Sequence, residues 1–453
     1  MLLHRPLRAP IAAAILLGTL ALAGCQTSEP RVPGHDTVLT SWVQAPARHT
    51  YVVDSVADAG PGTLRAAIAQ ANASPGTDQI VFRSASGLFQ EPQTIKLASA
   101  LPVITDHLSI DGYIDDMLWK PSGITLDGQQ RHRILQVAPG VHARIAHLTL
   151  RNGKANTGGG LQNHGYSVLS AVLLRDNSAD TTGGAIHNAG TLQLINSTLY
   201  NNSAGQRGGA LYNNAALRIT HATFDRNRSA LGGALYSATF AVLQNSILAR
   251  SHAAQDCYSE AELDSRANII PLAINCGRVF TTDDPLLGEL GGYNGPTHSI
   301  PVSSRSPAFN WADNSASTDE TGQPLTWDQR GNGDPRFALG IADIGAFEVQ
   351  PRVLFEVDTP SDEDLRGCTR AKSDCSLRGA LQLLNHSDRH QRLGFDADVF
   401  NGGGEIRLQS PLPGVMKDLR IDAGCVGPVL LTGASKLLHA EGVKLEVINI
   451  ESR

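Results

Sequence analysis

The chain has 453 residues, a net charge of −6, and 41% apolar but only 5% aromatic residues. That apolar share excludes a largely disordered chain. With no basic run and no aromatic–basic interleaving, a nucleic-acid surface is excluded too. The 45 glycines suit a turn-rich protein of one or two domains.

Residues 1–25 open with His4, Arg5 and Arg8, continue with the apolar run Ile11–Leu22, and end on Leu22-Ala23-Gly24-Cys25. The run is too short to span a bilayer and reads as an export signal. Leu-Ala-Gly-Cys resembles a bacterial lipobox, which implies acylation of Cys25; the alternative is an ordinary secretory signal. Because Gln26 follows, the resemblance implies an outer-membrane lipoprotein, facing the periplasm or the exterior. Residues 26–48, with Pro30, Pro33 and Pro46, read as a tether.

Residues 49–93 read as strand, helix, strand. Leu64, Ala67, Ile68 and Ala71 share one helical face, and such a helix ahead of a repeat array covers its open first coil. The TLRAAI stretch from Thr63 resembles, in degraded form, the N-terminal cap of CSLREA-class β-helix proteins.

Residues 94–255 form the array. Irregular strands come first, at Thr94–Leu97, Leu108–Ile110, Ile124–Leu126, Ile134–Val137 and Ile145–Leu150. Then GGGLQN, GGAIHN, GGALYN and GGALYS begin at Gly158, Gly183, Gly208 and Gly232, in steps of 25, 25 and 24. This period, without helical spacing, predicts an all-β fold: a right-handed, single-stranded parallel β-helix with three-strand coils of about 25 residues. Leu161, Ile186, Leu211 and Leu235 form one inward column; Leu169, Leu194, Ile219 and Leu243 a second; Thr149, Leu174, Leu199, Phe224 and Leu248 a third. Alternation puts Gln162, His187, Tyr212 and Tyr236 outside. Asn152, Asn177, Asn202 and Asn227 are expected to stack as a structural ladder. The repeats resemble those of chlamydial polymorphic outer membrane proteins, which implies a surface-displayed β-helix with adhesive use.

Residues 256–350 carry Cys257 and Cys276, expected to pair in an exported chain. Asp284–Gly288, Asn294–Thr297, Ser306–Ala308, Asp328–Gly331 and Ala342–Glu348 resemble, in that order, the choice-of-anchor Q domain of bacterial exported β-helix proteins. Closing the solenoid's C-terminal end is the expected role. Residues 351–453 then begin a second capped, partial β-helix. Ser376–Asn385 repeats the Thr63–Asn72 helix, Cys368 and Cys375 are expected to pair, and Cys425 remains as a buried thiol. Val443–Ile450 is expected to leave an unpaired edge, either packing on the first solenoid or another copy, or simply frayed.

Enzymes built on β-helices cleave polysaccharides with acidic and basic residues on an outer wall. Arg175, Asp176, Asp225 and Arg226 are the candidates, with His187, Tyr212 and Tyr236 as ligand-facing neighbours. Alternating charges more often mark a solvated wall, and His147 is expected in the core beside Val172, Ser197 and Ala222. No catalytic motif, cofactor fingerprint or metal set is present. The expectation is a lipid-anchored, non-catalytic binding, adhesive or structural protein acting on extracellular polysaccharide or cell surfaces. The alternative is a polysaccharide lyase or glycoside hydrolase working along the side groove.

Overall fold

The computed structural model describes residues 46–453, except 84–86, 114–122, 294, 304, 332–333, 339, 351–354, 369–370, 387–390, 417–418, 424–425, 434–436, 438, 444 and 453. Cys25 and Cys425 lie outside the described residues. The architecture is an all-β parallel solenoid. One wall of the regular array is built by His142–Ala146, Tyr166–Ser170, Thr191–Tyr200 and Leu217–Asp225 in its early part. Leu148–Arg151, Leu173–Arg175 and the later halves of the two long strands make the next wall. The third runs from Leu135–Val137 through Leu161–Asn163, Ile186–Asn188, Leu211–Asn213 and Leu235–Ser237 to Cys257–Ser259.

The apolar columns follow from this pairing. Leu161, Ile186, Leu211 and Leu235 are partners coil to coil and fully buried. Leu169, Leu194, Ile219 and Leu243 do the same on the first wall. In the third column the structure corrects one member: Leu174 pairs with Leu150, not Thr149, because that step is one residue shorter. The slip also removes Asn152 from the asparagine ladder. Gly153 takes its place and donates its N–H to Asn177 Oδ1 at 2.8 Å. Asn177 Nδ2 then bonds Asn202 Oδ1, and Asn202 Nδ2 bonds Asn227 Oδ1, both at 3.0 Å. Asn152 instead turns a corner at φ 55°, like Asp176, Asn201 and Arg226 after it. A second buried ladder, Asn163–Asn188–Asn213–Ser237, runs inside the third wall at 2.8–2.9 Å.

The paired glycines have two separate physical causes. Gly183 sits at φ +66°, a left-handed angle that costs a residue with a Cβ. Gly184 has an ordinary φ, yet a Cβ there would lie 2.2 Å from Gly209 O on the next coil. The first glycine makes the bend and the second lets coils close up.

Helix Leu64–Ala73 is N-capped by Thr63 and buries Leu64, Ala67, Ile68 and Ala71. Helix Leu377–Asn385 is capped likewise by Ser376. Disulfides join Cys257 to Cys276 and Cys368 to Cys375. The second module has its own core, including Val357, Leu381, Ile406, Ile421 and Val429. Its strands Leu419–Asp422 and Leu445–Ile448 are parallel partners.

The segment after Asp283 does not plug the solenoid's end as expected. It runs back along the flank, where Leu287, Ile300, Val302, Ala308 and Ile344 pack on the outward side chains Ile247 and Ala249. Gln329 reaches Val172 O and the Thr198 hydroxyl, and Asn196 Nδ2 reaches Trp327 O. Those positions lie at least three coils before the last. Outward apolar residues on the wall supply this second core, so the segment covers a side rather than an end.

Gly184→Ala tests the coil-spacing argument. The added methyl must push the Gly209 coil away, and the expected loss is about 1–3 kcal/mol. It is read as a lowered midpoint in chemical denaturation; an unchanged midpoint would remove backbone contact as the reason for the second glycine.

Candidate functional site

His187, Tyr212 and Tyr236 stand in one outward column on the third wall, with Tyr258 as the fourth member. Their ring centroids are 4.9, 5.5 and 5.3 Å apart; the three tyrosine planes lie within 11° and 12° of one another, and the His187 ring is inclined to Tyr212 by 29°. Each inner ring therefore has both faces covered by its neighbours. Arg207 lies over Tyr236 at 5.0 Å, and the Tyr236 hydroxyl bonds Glu260. Burial and that carboxylate push the Tyr236 phenol up to about 12. Tyr236 is almost fully covered and Gln162 is buried too, contrary to a solvent-facing row. His187 bonds the Thr182 hydroxyl through Nδ1, and burial pushes its pKa down to about 4. A pinned imidazole stacked on half-buried Tyr212, which is stacked in turn on the sealed Tyr236, makes a stacking ladder rather than an open groove floor.

The charged candidates are equally engaged. Asp225 is buried and held by Arg250 through Nε and Nη2, both at 2.7 Å. Arg226 turns to the Tyr200 hydroxyl and Glu289, each at 3.1 Å. Arg175 pairs with Asp176 at 3.3 Å, and Asn201 donates to the same carboxylate. Register separates the two carboxylates: Asp225 belongs to the column of Arg175 and Tyr200. Asp176 falls in the corner column, two coils away, or roughly 10 Å along the axis. The expected four-residue cluster thus divides into separate ion pairs.

A different constellation escaped the sequence reading. His147 is not a core residue; it occupies a left-handed corner, φ 53°, with Ala171, Asn196 and His221 in later coils. Leu148 takes the inner position. The ring points outward, and Nδ1 lies 2.7 Å from Asp111 Oδ1. Arg144 bridges Asp111 Oδ2 at 3.5 Å and Glu320 of the flank segment at 2.9 Å. Burial acts to raise the Asp111 pKa, but His147, the Tyr113 N–H and Arg144 together hold it below the usual carboxylate range. Every member is partly exposed. The 24-residue step is already in force at His142–Ala146, and that offset places His147 on a corner. By contrast, Ser74 and Asp78 meet His49 through the same Nδ1, at 2.9 and 3.2 Å, so no proton relay crosses that ring. Among the described residues, no three His, Cys, Asp or Glu side chains are grouped to hold a metal.

The flank segment encloses a buried ion cluster built from its DQRG and ADIGAFE stretches. Arg330 contacts Asp328 at 2.6 Å and Asp334 at 3.0 Å, and lies 3.8 Å over the Phe347 ring. Arg336, wholly buried, meets Glu348 at 3.1 Å and Asp343 O at 2.7 Å. Glu348 Oε1 is buried without a hydrogen-bond partner among the described residues. Burial above all pushes the Glu348 carboxyl up to about 8, with Asp343 and Asp328 adding to it and Arg336 opposing.

A raised carboxyl pKa means that the folded state holds a proton the unfolded chain has released. The stability this gives is full below about pH 4.5 and falls as pH rises toward 8. Over that window the loss attributable to Glu348 is on the order of 2–4 kcal/mol. Glu348→Gln should flatten the stability profile there while leaving the acid side unchanged. An undiminished slope in denaturation series from pH 5 to 8.5 would show that Glu348 is not the titrating group.

No family model matches the chain, and no curated protein matches it. Among solved structures it is similar to the crystal structure of Jun a 1, the major allergen from cedar pollen, at 12% identity and a TM-score of 0.28. The match covers 61% of this chain and 88% of that one.

Proposed function

We propose that this chain is an exported, lipid-anchored β-helix of the bacterial cell envelope that binds or supports extracellular polysaccharide or a neighbouring cell surface without cleaving it. The observation that carries the reading is the state of the solenoid's outer walls. The candidate carboxylates Asp176 and Asp225 are closed into ion pairs with Arg250, Arg175 and Arg226, and the candidate aromatic faces are closed onto one another. Glycoside cleavage needs two carboxyl groups about 5–10 Å apart and able to exchange protons with substrate; carboxylates locked to guanidinium groups suit a scaffold better. Two disulfides agree with an oxidising compartment. The lipobox-like Leu22–Cys25 supplies the anchor, and several acyl chains on Cys25 would hold the protein stably in a membrane.

One observation favours the cleavage alternative. His147, backed by Asp111, is a partly exposed base whose imidazole Nε2 has no partner among the described residues. Lyase or hydrolase action would then centre on His147, with Glu320 linked to it through Arg144 and Asp111, rather than on the third wall.

Two measurements separate these readings. On panels of acidic and neutral polysaccharides, retention without new reducing ends or unsaturated-uronate absorbance is expected. Turnover that disappears in His147→Ala would overturn the non-catalytic reading. For the anchor, Cys25→Ala should move the protein from the membrane to the soluble fraction and abolish labelling by radioactive palmitate. Membrane retention at the wild-type level would remove the lipid anchor.

A further inference from the structure

The rings that remain open lie elsewhere on the chain. Trp311 is 59% exposed and Phe280 40% exposed. Their centroids are 5.1 Å apart with planes tilted by 31°, and because both rings stay exposed the pair forms a shallow bent platform open to solvent. Phe280 N donates to Asn268 O, Thr281 bridges to Ile269, and Ile270 N donates to Thr281 O, so residues 280–284 run parallel to 268–272, with Phe280 beside Asn268 and Asp283–Asp284 farther along toward the Pro271–Leu272 rim. That rim borders a cavity of about 270 Å³, whose lining includes Arg250, Asp256 and Asp284.

The polar groups there distinguish between occupants. Arg250 is closed off by Asp225 and by the carbonyls of Leu287 and Gly288. Asp256 already receives the Ser251 and Leu272 N–H groups. Asp284 is exposed and uses one oxygen for the Leu286 N–H, while Asp283 beside it is exposed as well. An apolar protein partner would have to desolvate these carboxylates without a counter-charge, which is costly. An acidic glycan would meet like charge. A neutral sugar chain fits both halves: the C–H face of one unit covers the aromatic rings, and the hydroxyls of units farther along donate to the carboxylates.

We propose that Trp311 and Phe280, with Asp284 at the cavity rim, form a binding site for neutral hexose polysaccharide. The assignment rests on the polysaccharide-binding reading above and adds the site and the charge class of the ligand. The aromatic pair carries the affinity and Asp284 orients the sugar.

Native affinity electrophoresis of the full-length protein tests this, with glucomannan in one gel and polygalacturonate in another. The wild type is expected to be retarded by glucomannan and not by polygalacturonate. Trp311→Ala should weaken retention at least tenfold, Trp311→Phe should keep most of it, and Asp284→Asn should weaken it severalfold. A thermal melt of each variant confirms that the fold is unchanged, as expected for exposed side chains. Equal retention of Trp311→Ala would overturn the platform while leaving polysaccharide binding in place. Retention by polygalacturonate instead overturns the neutral assignment. A wild type retained by neither glycan, nor by any on a wider array, overturns this site and the binding reading together. A concentration-dependent dimer in light scattering, lost in Trp311→Ala, would assign the patch to a second copy of the chain and overturn the proposal.

Discussion

A coil of this solenoid finds most of the partners for its backbone in the coils before and after it. Leu161 N bonds Ala185 O, Ile186 N bonds Ala210 O, and Leu211 N bonds Ala234 O. Buried amide groups left without such partners would each cost about 1–3 kcal/mol. In-register stacking is therefore the constraint to which other features answer. It demands close approach, hence Gly184 against Gly209. It lets asparagine sit in the core, because an amide can bond its own kind one coil away, as Asn163, Asn188 and Asn213 do. It also leaves the first coil with an unpaired edge and an open core.

The chain meets that edge problem twice with one device. In the first cap Arg65 binds Asp58 and the carbonyls of Ser99 and Ala100, while Asn72 bonds Val103 O and receives the Thr105 N–H. In the second, Arg378 binds Asp362 and the carbonyls of Ser410 and Pro411; Asn385 bonds Gly414 O and receives the Met416 N–H. Each helix is clipped at both ends to the segment that opens its solenoid. The arginine draws on charge-assisted bonds to carbonyls that otherwise end a strand, which is why a short amphipathic helix suffices as a lid.

The period made the interior readable. Leu161, Ile186, Leu211 and Leu235 share a wall because a repeat of fixed length fixes both column and side. A 24-residue step among 25-residue ones was enough to misplace Thr149, Asn152 and His147, since a slip of one residue exchanges inward, corner and outward positions. Alternation says on which side a side chain lies, not what covers it, so Tyr236 could be placed outside but not found sealed. The flank segment has no period at all. Its contacts with Val172, Asn196 and Thr198 join residues more than a hundred positions apart, and neither spacing nor propensity encodes them.

This division bears on where recognition can occur. Side chains repeated along a solenoid wall come to lie about 4.8 Å from their copies. Rings at that spacing stack face to face, and alternating charges neutralise one another, as Tyr212 with Tyr236 and Arg250 with Asp225 do. A repeated wall thus tends to satisfy its own functional groups. Irregular additions escape this, because Trp311 and Phe280 have no copies to cover them, and Glu320 reaches the Arg144–Asp111–His147 group from outside the array. The solenoid supplies rigidity, and open chemistry is found where the flank segment meets it.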